Sequence, residues 1–117
     1  MTLRRINPGP RLSQAVINGQ TVYLCGVTAE PPSGTVAEQT RRILERIDEL
    51  LAEAGSDKTR LLSAQIWLTD IRYFDQMNTV WEAWLPKNCA PARATVEAKL
   101  AGAEYLVEIM VQAATGR

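Results

Sequence analysis

A chain of 117 residues, 46% of them hydrophobic, has material for one globular domain over residues 1–117 and too little for two. Its 13 basic and 13 acidic residues cancel, no run of like charges stands out, and no apolar stretch nears the roughly 20 residues of a bilayer span. These features argue against nucleic-acid and membrane partners, and the start MTLRRINPGP, which has no apolar signal region, sets the expectation of a cytoplasmic protein that binds small molecules or copies of itself.

Asn7, Pro8, Gly9 and Pro10 predict that regular structure begins only near Arg11. Leu12 to Ile17 and Thr21 to Val27 then flank Asn18-Gly19, a dipeptide suited to a tight turn, which predicts a hairpin. After the loop Glu30-Pro31-Pro32-Ser33-Gly34, the apolar positions Val36, Ile43, Leu44, Ile47, Leu50, Leu51 and Ala54 recur at helical spacing. Thr35 with Glu38 predicts a capping box at the start of that helix, and Gly55 its end. Leu61 to Thr69 alternates as a strand. Asp70 is placed to cap a second helix with the stripe Phe74, Met77, Trp81, Trp84 and Leu85, stopped by Pro86.

Ala92 to Lys99 and Tyr105 to Ala113 read as two closing strands. The order ββαβαββ implies an α+β fold with one mostly antiparallel sheet and both helices on a single face. Its other face is expected to present Arg93, Thr95 and Glu97 beside Glu108, Met110, Gln112, Ser63, Gln65 and Trp67. Such a surface, with Leu106, is too apolar for solvent and too polar for a sealed core, which suggests a subunit interface enclosing polar clefts.

Histidine is absent, and Cys25 and Cys89 lie far apart in unlike contexts. No His-based nucleophile pair, CxxC motif or metal-ligand cluster can be drawn, so chemistry falls to carboxylates, arginine, hydroxyls, backbone groups and water. Read from residue type alone, Arg93 is as well explained by a lattice with Glu97 or Glu108, and Cys25 by packing.

The segment PARATVEAKLAGAEYLVEIMVQAA resembles the signature of the Rid family of reactive-intermediate deaminases, also called YjgF-like proteins. Gly9-Pro10, SQAV, VYLCG, the first amphipathic helix, Asn78 with Glu82, and the PAR and VEI elements follow in family order. The resemblance implies a chorismate-mutase-like fold, a homotrimer with sheets facing inward, and clefts between subunits. It further implies cofactor-independent hydrolysis of small carboxylate-bearing enamines and imines to 2-keto acids and ammonia. Arg93 matches the arginine that forks onto the substrate carboxylate, a task suited to its planar donors. Glu108 matches the carboxylate that positions or activates water. Thr95 stands where many members have cysteine, and Cys25-Gly26 where many have Ser-Gly, with Gly26 allowing close backbone approach.

One departure lies near the start. Family members read glycine-proline-tyrosine before SQAV, whereas this chain reads GPRLSQAV, so Arg11 or Leu12 takes the tyrosine's place. The expectation is a divergent branch with a second cation, Arg11, near the cleft and a bulkier or doubly anionic ligand, or weakened deamination. The alternative is a non-catalytic trimeric small-molecule-binding or regulatory protein. Ribonuclease activity, ascribed to some relatives, would want a basic groove that zero net charge does not suggest. Asn78 and Glu82 receive no chemical role from the sequence.

Overall fold

In the computed structural model, which describes residues 3–116, strands and helices follow in the order βββαβαββ. The added strand, β1 (Leu3–Pro8), pairs antiparallel with β2 (Ser13–Asn18) where the proline-rich start had predicted irregular chain. An edge strand tolerates Pro8 at its end because no neighbour needs that N–H, and the buried Ile6 is its one inward apolar anchor. A lone anchor leaves no alternation to read. β2 turns into β3 (Thr21–Leu24) with Asn18 paired to Thr21, so the turn is Gly19-Gln20, one place later than expected. Gly19 takes the positive φ of 64° that its first position requires.

Helix α1 (Val36–Glu53) begins as expected: Thr35 Oγ1 accepts from Glu38 N at 3.1 Å, and Thr35 N donates to Glu38 Oε1 at 2.8 Å. Gly55, at φ 80°, follows its end. Ile43, Leu44, Ile47, Leu50 and Leu51 bury one stripe of α1 against the sheet residues Val22, Ile66, Leu68 and Ile109, each contributing about 1.5–3 kcal/mol of hydrophobic stabilisation. The buried Gln39 is satisfied: its amide donates to Glu104 O at 3.0 Å and accepts from Leu106 N at 2.9 Å.

β4 (Leu61–Leu68) leads through a 3-10 turn capped by Asp70 into α2 (Phe74–Trp84), and then to β5 (Ala92–Glu97) and β6 (Val107–Ala114). The sheet order is β1-β2-β3-β6-β4-β5. Only the β4–β5 pair is parallel, so α2 is its crossover and packs beside α1 over one sheet face. Met77 and Trp81 fill the core under it.

The register corrects one expectation. Ala64, Ile66 and Leu68 face the helices, and they pair with Arg93, Thr95 and Glu97 respectively. Those three therefore point to the helix side, and Ala92, Ala94 and Val96 join Ser63, Gln65 and Trp67 on the other face. Leu106 likewise packs against the core. That other face, carrying Glu108, Met110, Gln112 and the exposed Tyr23 as well, is covered by no second layer among the described residues.

Candidate functional site

Arg93 lies on the outermost strand, turned toward α2. Phe74, Asn78 and Trp81 are spaced to share one helix face, and all three meet it. Nη1 donates to Asn78 Oδ1 at 2.7 Å, while Cζ lies 5.5 Å from the Trp81 ring centroid and 5.8 Å from that of Phe74. No carboxylate pairs with it: the ion pairs among the described residues are Arg46–Glu49 and Arg72–Asp70. Burial pushes the guanidinium down from its ordinary value and the charge of Glu82 pulls it back; it stays a cation. Two residues along, the Thr95 hydroxyl is buried with no hydrogen-bond partner among the described residues. Glu97 leaves this group and accepts from Ile71 N at 2.8 Å.

A second cluster forms where β3 ends. Tyr23 pairs with Gln112 and Val27 bridges Ile109, so the β3 line gains a residue over β6, a bulge at Cys25-Gly26. Gly26 lies against the Glu108 side chain: a Cβ at position 26 would meet Oε2 at 2.1 Å. Burial raises the Glu108 carboxyl, and no hydrogen bond or ion pair within the described chain offsets it. The Cys25 thiol is also pushed up by burial, against the pull of its backbone hydrogen bond and of Arg46, which suits a packed thiol rather than a nucleophile. An open cavity of about 570 Å³ borders this bulge, lined by Leu12, Gln14, Cys25, Gly26 and Arg46 among others. Arg11 is exposed and outside that lining, and Arg42 and Arg46 of α1 are the cations that border the cavity. Arg46 itself donates to Gln14 Oε1 at 2.7 Å and to Glu49 at 2.9 Å.

The two clusters do not meet within one chain. β4 separates β5 from β6, and Arg93 and Glu108 are about 10 Å apart across the sheet, a further 10 Å or so along it, and on opposite faces. The bland expectation of an Arg93 lattice with Glu97 or Glu108 is therefore not what the chain builds. Among the described residues, no group of three or more His, Cys, Asp or Glu could hold a metal ion, and no helix is long and apolar enough to cross a membrane.

The chain and its fold have counterparts among known proteins. The family model described as Endoribonuclease L-PSP matches residues 2–115. A RutC family protein of Haemophilus influenzae is 43% identical over 95% of this chain and 97% of its own length, and the RutC family protein YoaB of Escherichia coli is 41% identical over 97% and 99%. A crystal structure of a YjgF family member from Neisseria meningitidis superposes with a TM-score of 0.96 at 43% identity, covering all of this chain and 98% of that one. The chain belongs to the YjgF, or Rid, family.

Of the two residues that stand near the family's tyrosine position, Leu12 lines the cavity at the bulge and Arg11 does not. The sequence reading had left out the group that holds Arg93. Trp81 is core as expected and meets the guanidinium as well, whereas Phe74, expected in the core, is exposed at 38%, and Asn78 has no role in the sequence reading. The signal that could have found them is topological: a helix that crosses between two parallel strands must lay its inner face on the second of them.

Proposed function

We propose that this Rid-family chain hydrolyses 2-imino acids and their enamine tautomers to 2-keto acids and ammonia, in sites shared between subunits of a homotrimer. The carrying observation is that Arg93 and Glu108 each lack an ionic partner among the described residues and stand on opposite sheet faces. A site that uses both needs a second copy, and the uncovered sheet face supplies a surface for it.

In this reading Arg93 accepts the substrate carboxylate on its free N–H donors. Water adds to the iminium carbon as Glu108 takes one of its protons; the C–O bond forms and the C=N π pair goes to nitrogen. Glu108 returns the proton to that nitrogen and then takes the carbinol O–H proton as the C=O bond forms and the C–N bond breaks; the departing ammonia carries that proton away as ammonium. Enamines enter after protonation at the β-carbon. The iminium is already electrophilic, so positioning and proton transfer suffice.

The ribonuclease activity in the family model's description is not adopted. The chain is neutral overall, and Arg42, Arg46 and Arg72 are engaged by backbone carbonyls or carboxylates of the chain itself. The test is the rate of keto-acid formation from imines generated in place by an amino-acid oxidase. Wild type accelerates it; Arg93→Ala loses roughly 10- to 100-fold in kcat/KM, the scale of a charged hydrogen bond. Glu108→Gln loses about 10²- to 10⁴-fold in kcat. An unchanged Arg93→Ala overturns the site, and an inactive wild type that still binds keto acids leaves the binding protein as the function.

A further inference from the structure

A partly buried arginine ordinarily faces a carboxylate, which cancels its charge. Arg93 instead meets a neutral amide oxygen and two aromatic rings. Both stabilise a cation without neutralising it, and among the described residues only one of its five N–H donors is spent. Trp81 is buried at 4% exposure and forms a floor, while Phe74, at 38%, stands at the rim. The nearest acid to influence the guanidinium is Glu82, one turn beyond Asn78, and it makes no ion pair.

We infer that Asn78 and Trp81 are positioning residues that hold Arg93 oriented and uncancelled, so that α2 is part of the anion-binding apparatus. This rests on Arg93 being the carboxylate anchor. An aspartate at position 78 has the same shape as asparagine and would sit at the same 2.7 Å from Nη1. It would give Arg93 an internal partner in competition with any ligand. Asparagine keeps the geometry and leaves the charge for the substrate.

Pyruvate serves as the probe, with binding read by calorimetry and by tryptophan emission, since Trp81 adjoins the anchor. Asn78→Asp is expected to keep the wild-type thermal midpoint and to weaken pyruvate about 10- to 100-fold. Trp81→Phe, which keeps a ring, stays within about 3-fold, while Trp81→Leu loses roughly 3- to 30-fold. Glu82→Gln, by removing the competing charge, tightens binding modestly. If Arg93→Ala abolishes binding while Asn78→Asp binds like wild type, the positioning role is overturned and the anchor stands. If Arg93→Ala itself binds like wild type, the anchor reading falls. Asn78→Asp is isosteric, so a poorly folding Trp81→Leu does not remove the test.

Discussion

Glu108 occupies the space that a side chain at position 26 would need, with its Cδ at 3.1 Å and Oε2 at 2.1 Å from an added Cβ. Gly26→Ala is therefore expected to push the carboxylate out of place at small cost in stability, because the end of a flexible side chain can move. In the imine assay it should lower kcat by about 10-fold or more with the thermal midpoint nearly unchanged. The same carboxyl carries a pH signature. Its folded-state value lies above the ordinary 4.5 through burial. Between those two values the folded chain keeps a proton that the unfolded chain has released, so stability falls as pH rises through the window and stays lower above it. Glu108→Gln should then unfold at a higher midpoint than wild type near pH 7, with the gain vanishing below about pH 4, while turnover is lost. Denaturation curves at both pH values check this. Wild-type activity should rise with pH through the raised value, since only the ionised form accepts a proton.

At the scale of elements, local chemistry was the readable part. The capping box of α1 depends on residues three apart and formed as expected; Thr35→Ala should cost about 1 kcal/mol and lower the thermal midpoint by a few degrees. β5 shows where such reading stops. Its alternation correctly grouped Arg93, Thr95 and Glu97 on one side, but which side faces the helices is set by pairing with Ala64, Ile66 and Leu68 on β4. The apolar Ala92, Ala94 and Val96 opposite read as the core face, but they are exposed, because this edge strand is partly open on both sides. The stripe on α2 was likewise visible, but not that one of its edges serves Arg93, since that follows from where the crossover lands.

For the whole molecule, the uncovered sheet face was anticipated from Trp67 and Met110, both half-buried, and it also carries Tyr23 and Val96, at 41% and 45% exposure. Arg93 and Glu108, named together from the sequence, are divided by the sheet, which no spacing along the chain could reveal. On the proposed function, their separation onto opposite faces predicts that the two defects complement one another. An Arg93→Ala subunit keeps an intact Glu108 and a Glu108→Gln subunit an intact Arg93, so junctions between the two in one orientation hold every wild-type group. Each variant alone is expected to keep only the reduced turnover given above, and co-refolding them in equal amounts should raise activity well above the mean of the two; failure to do so would place both residues in a site of one chain. An organism carrying one copy of each defective allele would, on the same grounds, retain the activity that either allele alone has lost.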